Sequence, residues 1–345
     1  PFLFGGSMLE KYRNRFSKHN YKVLSELLDS IKEGDYIVTD CDNSYVMHDT
    51  EENLFFYQLV SLKYKMTPEE FREVLFKDLP DDERIVDEAK FAADLAATYF
   101  EELVTDDEFE ENPHYVEFIE LMCYLYLELS YYDKKKTVGF RILYLFKNFT
   151  EEELRDMVGE MYDYTRSISF QRLEFYFDGK YKLHSYIDVG VGKFEEVEAL
   201  VQDIKSKGAK AYVCTASSRI VVDEFMNRCS KGLFDKVVGL ELVERNGVLQ
   251  AEGDEEKLLT MGKGKGEYLE ILKGRYNRPA MLYIGDSDGD YYALTNNGLK
   301  YGLIINRNTT GKIETIKEMA KKKEFENTIY LLQKRDEEKG ILVSE

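Results

Sequence analysis

Helical and strand-like patterns of apolar residues alternate along the chain, and one strand-like run ends in a dense group of polar side chains. Before it, apolar residues recur at the three- and four-residue spacing of a helix. They are Val23, Leu24, Leu27, Leu28 and Ile31. Gly34 marks the end of this predicted helix. The next apolar run, Tyr36–Thr39, predicts a buried strand that opens onto the polar segment Asp40–Ser44.

The polar segment places Asp40 and Asp42 at the carboxyl end of this predicted strand. In open α/β sheets, ligands bind at that end of the strands. Two carboxylates so close together repel each other unless a cation or a proton-transfer task keeps them there. The pattern therefore indicates an active site, and the structural alternative is a turn rich in Asp and Asn.

Two later strands end in the same way. The run Ala211–Ser217 follows a helical pattern closed by Gly208, and it presents the hydroxyl of Thr215. The run Ala280–Ile284 leads directly into the acidic segment Gly285–Asp290. The sequence therefore predicts three strands of one sheet that carry hydroxyl and carboxylate groups at their carboxyl ends.

A lysine-bearing segment lies between the last two of these strands. Met261–Leu272 carries Lys263 and Lys265 ahead of a short amphipathic helix. The run Gly262–Gly266 is not a phosphate-binding P-loop, because it lacks the glycine spacing and the Ser or Thr after the lysine.

The four polar groups follow one another in the order Asp40 and Asp42, Thr215, Lys265, then Asp286 and Asp290. This order resembles the four motifs of the haloacid dehalogenase superfamily of phosphotransferases. The resemblance implies an α/β fold with a Rossmann-like parallel sheet core and an inserted, mostly helical cap domain. Lys265 is preferred to Lys263 as the motif lysine because its distance from Leu269 fits the spacing of the family, but Lys263 stays an alternative.

Within the superfamily, the segments Asp40–Ser44 and Asp49–Leu54 are similar to the Asp-x-Asp-Asn-Thr and Asp-x-Glu-Glu runs of phosphorylcholine phosphatases. Leu154–Tyr164 and Asp288–Tyr292 are also similar to that group. Ser44 stands where Thr is more frequent in the superfamily, and Thr215 stands where Ser is. Both keep the hydroxyl.

The resemblance implies a phosphomonoesterase that works through an aspartyl-phosphate. Asp40 would attack phosphorus, and Asp42 would protonate the leaving oxygen and later activate water. Thr215 would bind a phosphoryl oxygen, and Lys265 would balance the negative charge.

The same resemblance implies Mg²⁺ as cofactor, a hard cation that prefers oxygen ligands. Its ligands would be the Asp40 carboxylate, the Asp42 backbone carbonyl and Asp286, with Asp290 or Asp288 acting directly or through water. Residues implied to bind the substrate are Ser44, Glu52 and Ser217.

Glu52 bears on substrate choice, because in phosphorylcholine phosphatases the matching residue helps to accept the quaternary ammonium. Phe55, Phe56 and Tyr57 follow it, and aromatic faces also attract such cations. The alternative is that Glu51 and Glu52 only begin a helix, where acidic residues complement the helix dipole. The expected substrate is phosphocholine or a related phosphorylated amino alcohol. Another small metabolite, such as phosphoserine or a sugar phosphate, and a non-enzymatic receiver-like protein that binds Mg²⁺ and phosphate remain alternatives.

Roughly 170 residues separate the first two motifs, which is too long for one crossover between neighbouring strands. We therefore predict a core of residues 9–48 and 186–325, a cap of residues 49–185 and a carboxyl-terminal tail of residues 326–345. Capping boxes at Thr67–Glu70 and Thr150–Glu153 predict cap helices. A third, buried helix is predicted over His114–Tyr132, because this segment is apolar nearly all round. Asn246-Gly247 predicts a hairpin turn, and the residues after Lys321 predict a solvated helix.

Composition narrows the range of partners. The chain has 345 residues and a formal net charge of −19, with 66 acidic against 47 basic residues. This charge disfavours nucleic acids and anionic membranes. The partner that the family resemblance implies is a small phosphomonoester, and the oligomeric state stays open. The four cysteines show neither close pairing nor metal-ligand spacing, which favours free structural thiols. Free thiols favour a cytoplasmic location; the alternative is secretion, or export to the periplasm, after removal of a signal peptide.

Overall fold

The computed structural model describes residues 7–132 and 138–344 of the chain. These residues form two compact units. Among the described residues, the first unit comprises those within 1–50, 190–239 and 257–345, and the second comprises those within 51–189 and 240–256.

The helices and strands are numbered in chain order. The helices are α1 Lys18–Ser30, α2 Thr50–Val60, α3 Pro68–Phe76, α4 Val86–Leu103, α5 Tyr115–Cys123, α6 Val138–Arg141, α7 Glu151–Thr165, α8 Glu195–Ser206, α9 Arg219–Cys229, α10 Lys263–Tyr276, α11 Tyr291–Leu294 and α12 Ile313–Lys322. The strands are β1 Tyr36–Thr39, β2 Val46–Met47, β3 Gln171–Asp178, β4 Lys182–Val189, β5 Gly192–Lys193, β6 Lys210–Ser218, β7 Lys236–Leu240, β8 Leu242–Arg245, β9 Val248–Gly253, β10 Leu282–Gly285, β11 Tyr301–Ile305, β12 Ile329–Asp336 and β13 Ile341–Val343.

A seven-stranded sheet organises the first unit, in the order β13-β12-β11-β10-β1-β6-β7. The five strands from β12 to β6 run parallel to one another, whereas β13 pairs antiparallel with β12. All four residues of β1 and of β10 are buried, as expected for central strands of a parallel sheet. The prediction of an α/β fold with a Rossmann-like parallel sheet core is therefore confirmed.

Alternate residues of the central strands form the hydrophobic core on one side of this sheet. Tyr36 and Val38 of β1, with Tyr212 and Cys214 of β6, belong to one buried cluster. Two helices complete that cluster. Leu269 and Leu272 come from α10, and Ile313 and Ile316 come from α12. This packing fixes α10, the helix that carries the motif lysine, against the central strands.

The second unit contains most of the predicted cap helices. Thr67 and Thr150 both cap their helices reciprocally with the glutamate three residues on, which confirms the two capping boxes. The predicted helix over His114–Tyr132 is wrong in its extent. The α-helix ends at Cys123, and the chain continues as a π-helical turn and then a 3-10 turn. Buried apolar residues on every side are compatible with α-, π- and 3-10-helical turns alike. The hydrophobic pattern therefore could not show where the α-helix ends.

Several predicted boundaries differ from the structure. Strands β3 and β4 form an antiparallel hairpin that the helical prediction for the cap missed. The hairpin of β8 and β9 turns at Asn246-Gly247 as predicted, but residues 240–256 belong to the second unit and not to the core.

The prediction of a solvated helical tail is wrong. Helix α12 ends at Lys322, and residues 329–343 supply β12 and β13 of the sheet. The mixture of acidic and basic residues in this segment suggested a helix. The strand forms because β11 offers it a parallel edge, a tertiary effect that overrides local preference.

The cysteine prediction is confirmed, since all four cysteines are free thiols and three of them are buried. Among the helices of the described residues, none combines the length and the apolar character that a membrane crossing requires.

Candidate active site

Three neighbouring strands bring the predicted motifs together. Strand β1 lies between β10 and β6 and runs parallel to both. The carboxyl ends of parallel strands meet at one edge of the sheet, so the residues that follow them become neighbours. Asp40 directly follows β1, Asp286 directly follows β10, and Thr215 lies near the end of β6.

Three buried carboxylates form the centre of the site. Asp40, Asp286 and Asp290 each place a carboxylate oxygen within 4.8 Å of the oxygens of the other two. Burial and the charge of Asp290 raise the pKa of Asp40, although Lys265 opposes this shift. Burial also raises the pKa of Asp286, against the opposing charge of Arg307. The cluster thus concentrates negative charge where water is largely excluded, and its hard oxygen donors fit a divalent cation such as Mg²⁺.

Lys265 is the cation within this cluster. Its side chain is 2% exposed, and its Nζ lies 2.8 Å from Asp40 Oδ2 and 2.8 Å from Asp290 Oδ1. Burial alone would lower the pKa of Lys265, but the charges of Asp290 and Asp40 raise it above its ordinary value. Lys263 is exposed and lies over the ring of Tyr292 instead. Of the two candidate lysines, only Lys265 contacts the carboxylates.

The first turn of α10 carries Lys265 into the cluster, and a glycine permits the close approach. A Cβ added to Gly264 would lie 1.5 Å from the carbonyl oxygen of Leu259, so no other residue fits there without backbone movement. Gly264 therefore serves close packing, which agrees with the conclusion that this glycine-rich run is not a P-loop.

Asp290 is held more tightly than the other two carboxylates. Its Oδ1 accepts hydrogen bonds from Lys265 Nζ and from the Tyr283 hydroxyl at 2.7 Å. Its Oδ2 accepts from the backbone N–H groups of Asp286 at 2.9 Å and Ser287 at 3.2 Å. Burial alone would raise the pKa of Asp290, but Lys265 and these hydrogen bonds lower it below its ordinary value. Asp290 is thus suited to orient Lys265 and the segment that carries Asp286.

Asp42 lies outside the three-carboxylate cluster and is partly buried. Its Oδ1 accepts hydrogen bonds from the backbone N–H and the hydroxyl of Thr50, both at 2.7 Å. Its Oδ2 accepts a hydrogen bond from Ser217 Oγ at 2.7 Å. Ser217, predicted to bind substrate, therefore contacts the side chain of Asp42.

The two other predicted hydroxyl residues, Ser44 and Thr215, are also buried. Ser44 Oγ donates a hydrogen bond to Asp286 Oδ1 at 3.0 Å, so it orients a carboxylate of the cluster. Thr215 Oγ1 accepts a hydrogen bond from the backbone N–H of Ser217 at 3.1 Å. The hydroxyl hydrogen of Thr215 is not used in that contact and can be directed toward a phosphoryl oxygen. Asp288 accepts a hydrogen bond from the backbone N–H of Ile313, which places it in a loop anchor.

Glu52 belongs to the second unit, where it lies in the first turn of α2 and is partly buried. The three aromatic residues that follow it do not form one group, because consecutive helix positions face different directions. Phe55 packs against Tyr126, and Phe56 packs against Phe175. Phe55 and Phe56 are core residues of this unit.

Another aromatic residue is close enough to interact with the charge of Glu52. The hydrogen bond of Tyr131 to Tyr186 is the main reason that the pKa of Tyr131 is raised. Burial and the charges of Glu52 and Glu128 raise this pKa further. Tyr131 is 72% exposed and is separated from Glu52 by most of the cap sequence, so no local pattern could have connected the two.

Three residues at the site were not found from the sequence. Tyr283 donates to Asp290 from an apolar strand, where its hydroxyl gave no signal. Arg307 pairs with Asp286, and Arg335 donates hydrogen bonds to the carbonyl oxygen of Asn43 at 3.3 Å and to its side-chain oxygen at 3.0 Å. Both arginines follow or end strands on the same side of β10. Neither β11 nor β12 was predicted from the sequence, so no predicted strand pointed to these two arginines.

A sequence model of haloacid dehalogenase-like hydrolases matches residues 94–295, more than half of the chain. This chain belongs to the haloacid dehalogenase-like hydrolase family. The matched region includes Thr215, Lys265, Asp286 and Asp290 and begins after Asp40 and Asp42. The superfamily prediction is therefore confirmed. No curated protein sequence matches the chain.

Several solved structures are similar to this chain, and one of them shows the same fold. A conserved protein of unknown function from Anaerococcus prevotii is similar over 96% of both chains, with a TM-score of 0.85 and 22% sequence identity. Substrate-bound phosphoserine phosphatase covers 79% of this chain and 87% of its own, with a TM-score of 0.38 and 12% identity. Cytosolic 5'-nucleotidase IIIB bound to cytidine covers 91% of this chain and 85% of its own, with a TM-score of 0.39 and 15% identity. Similarity as distant as the last two says nothing about the substrate of this chain.

Proposed function

We propose that this haloacid dehalogenase-like hydrolase is a Mg²⁺-dependent phosphomonoesterase that forms an aspartyl-phosphate, an acyl phosphate, on Asp40. The observation that carries the proposal is the buried cluster of Asp40, Asp286 and Asp290 around Lys265. A phosphomonoester dianion repels nucleophiles, so a site that cleaves it needs concentrated positive charge beside the attacking oxygen. Lys265 supplies a fixed positive charge 2.8 Å from an oxygen of Asp40.

Asp40 and Asp286 would hold Mg²⁺ directly, and the backbone carbonyl of Asp42 would be a further ligand. Asp290, whose oxygens already accept four hydrogen bonds, supports the site mainly by orienting Lys265 and Asp286. When bound, the cation would neutralise phosphoryl charge and orient the phosphorus toward Asp40. The three carboxylates carry more negative charge than Lys265 and Arg307 carry positive charge. The cluster therefore keeps a net negative charge that would attract Mg²⁺.

The first half of the reaction transfers the phosphoryl group to Asp40. A carboxylate oxygen of Asp40 attacks phosphorus, and the bond between phosphorus and the ester oxygen breaks. Asp42 gives a proton to that leaving oxygen, so an alcohol departs. Thr215 and Lys265 stabilise the negative oxygens of the transferring group.

The second half returns Asp40 to its carboxylate form. Asp42, now deprotonated, takes a proton from water as the water oxygen attacks phosphorus. The bond between phosphorus and the Asp40 oxygen breaks, and inorganic phosphate leaves. Ser217 suits both states of Asp42, because a hydroxyl can donate to a carboxylate and accept from a protonated carboxyl. The two contacts from Thr50 fall on the other oxygen, Oδ1, so Oδ2 beside Ser217 is the oxygen that carries the proton.

We extend the proposal to phosphocholine or a related phosphorylated amino alcohol as the substrate. The support is the resemblance of the Asp49–Leu54 segment to phosphorylcholine phosphatases, together with the partly buried carboxylate of Glu52 near Tyr131. Carboxylate and aromatic groups together attract a permanent cation. Phosphoserine and sugar phosphates are the competing small substrates.

The proposal is tested by phosphate release from a panel of phosphomonoesters in Mg²⁺ and in EDTA. The panel contains phosphocholine, phosphoethanolamine, phosphoserine, a sugar phosphate and p-nitrophenyl phosphate. Asp40→Asn, purified in the same way, controls for contaminating phosphatases and should be folded but inert. After acid quenching of a reaction with radiolabelled substrate, the label should remain on the peptide that contains Asp40. Release that persists in EDTA, or an Asp40→Asn variant with more than about a tenth of wild-type turnover, contradicts the mechanism.

A further inference from the structure

Arg307 contacts the acidic cluster from the loop after the strand next to β10. It follows β11, and its Nε donates a hydrogen bond to Asp286 Oδ2. The other oxygen of this carboxylate accepts the hydroxyl of Ser44. Asp286 is buried, whereas the side chain of Arg307 is 35% exposed. A carboxylate proposed to bind Mg²⁺ is therefore already paired with a protein cation.

The loop that carries Arg307 is anchored at several points. The backbone N–H of Asn306 donates to the carbonyl oxygen of Gln333 at 2.7 Å. Buried Lys317 donates from Nζ to the carbonyl oxygen of Arg307 at 3.0 Å and to Thr309 Oγ1 at 3.1 Å. Such anchoring restricts the backbone of Arg307, so the guanidinium is directed at Asp286 by the fold.

The far end of the loop is fixed against the acidic segment itself. Gly311 has φ +120°, and a Cβ there would lie 2.6 Å from the carboxylate of Asp288. That carboxylate accepts the backbone N–H of Ile313 at 2.8 Å. Both ends of the loop are thus tied to the structure that surrounds Asp286, which makes the arginine part of the site.

A guanidinium and a divalent cation compete at one carboxylate in two ways. They need the same oxygen lone pairs of Asp286, and they repel each other at short range. Without the metal ion, the guanidinium compensates a buried negative charge that would otherwise be costly. With the metal ion, the same guanidinium opposes binding.

We propose that Arg307 is a positioning residue that neutralises Asp286 in the metal-free protein and competes with the divalent cation, so that it sets the Mg²⁺ affinity of the site. The inference rests on the proposed function for the identity of the cation site. Its consequence is that the protein keeps its fold without metal and binds Mg²⁺ more weakly than three buried carboxylates alone would.

Thermal unfolding across a Mg²⁺ titration, with no substrate present, tests this role at pH 8. Arg307→Gln and Arg307→Met remove the charge, and the second keeps the aliphatic packing if the first folds poorly. Arg307→Lys keeps the charge. Lys312→Gln is the matched control, because Lys312 is an exposed cation on the same loop that pairs with Tyr292.

The two neutral variants should unfold at a lower temperature than wild type in EDTA and should bind Mg²⁺ on the order of tenfold more tightly. Arg307→Lys and Lys312→Gln should stay within about threefold of the wild-type Mg²⁺ affinity. A purely structural role for Arg307 would lower the unfolding temperature equally with and without Mg²⁺.

Equal or weaker Mg²⁺ binding by the neutral variants, while wild type binds Mg²⁺, overturns this inference and leaves the proposed function standing. If neither wild type nor variants respond to millimolar Mg²⁺, both the inference and the proposed metal dependence are overturned.

Discussion

At the scale of single residues, the site depends on how its buried charges are balanced. Asp40 and Asp290 share one cation, Lys265, and both carboxylates lie within 2.8 Å of its Nζ. A buried ion pair contributes little compared with an apolar replacement of both partners, but removal of one partner leaves an uncompensated buried charge. The stability of the first unit should therefore respond strongly to this lysine.

Lys265→Met should lower the free energy of unfolding by about 3–5 kcal/mol at pH 7.5, because it leaves two buried carboxylates without their cation. Burial then holds their folded-state pKa values above the unfolded value of about 3.9. The variant therefore loses stability as pH rises from about 3.9, the unfolded-state pKa, through the higher pKa values of the folded state. In that range the folded state binds more protons than the unfolded state. Urea unfolding at pH 5 and pH 7.5 measures the difference, which should be smaller at pH 5.

Lys263→Met is the matched control for this change. Lys263 is exposed two residues earlier in the same helix, so its replacement should change the free energy of unfolding by less than about 0.5 kcal/mol. Equal effects of the two substitutions would mean that Lys265 is not the cation of the cluster.

Asp42→Asn should separate the two kinds of substrate. Alkyl phosphates need a proton on their leaving oxygen, whereas p-nitrophenol leaves readily without one. We expect kcat/KM, which reports only the first half of the reaction, to fall by roughly 10²–10⁴ for phosphocholine and much less for p-nitrophenyl phosphate. Steady-state kinetics on both substrates measure this ratio. Equal losses would reassign Asp42 to a role in metal binding or loop structure alone.

At the scale of elements, the carboxyl-terminal strand supports the loop that carries the nucleophile. Arg335, near the end of β12, donates to Asn43, a residue in the left-handed region with φ 58°. Glu337 in turn accepts two hydrogen bonds from the same guanidinium, at 2.9 and 3.0 Å. A non-glycine residue with positive φ is strained, so the contacts of Arg335 help to hold the backbone between Asp42 and Ser44.

Arg335→Met should lower the free energy of unfolding by about 2–3 kcal/mol, because a buried charged donor to Asn43 is lost. It should also lower kcat while KM changes less, because the loop that carries Asp42 shifts. Chemical unfolding and steady-state kinetics measure the two effects. Lys339→Met in the adjoining turn is the control. Lys339 is 70% exposed in its ion pair with Asp336, so stability and kcat should hardly change. Equal effects of both substitutions would count against this support.

Elements with strong local signals could be predicted from the sequence. The capping boxes that begin at Thr67 and Thr150 correctly predicted two helices. Asn246-Gly247 correctly predicted a hairpin, and the apolar run before Asp40 correctly predicted β1. Strand β12 was missed, because its pairing with β11 is a long-range contact and its short apolar run, residues 329–332, lies within a segment rich in acidic and basic residues. For the same reason Arg307 and Arg335 were missed, although Asp40, Asp286 and Lys265 were found through motif order.

At the scale of the whole molecule, the proposed chemistry and the proposed selectivity belong to different units. Asp40, Lys265, Asp286 and Asp290 all lie in the first unit, whereas Glu52 lies in the second. The chain enters the second unit twice, at residues 51–189 and 240–256. Under the proposed function, residues of the first unit would carry out the reaction, and Glu52 of the second unit would contribute to the choice of substrate.

Glu52→Gln tests this division, because it removes one charge and little volume. A partly desolvated interaction between a carboxylate and a permanent cation is worth on the order of 1–3 kcal/mol. Since about 1.4 kcal/mol is a factor of ten, kcat/KM for phosphocholine should fall by roughly tenfold to a hundredfold. Steady-state kinetics should show almost no change for p-nitrophenyl phosphate, which carries no cationic group.

Glu128→Gln is the matched control, because Glu128 is another partly buried carboxylate whose charge acts on Tyr131. It should leave the ratio of the two kcat/KM values near that of wild type. If Glu52→Gln slows both substrates alike, Glu52 supports the second unit's structure and does not select the cation. If it slows neither, Glu52 only begins α2, where a carboxylate complements the helix dipole, and the choice of phosphocholine over phosphoserine loses its support.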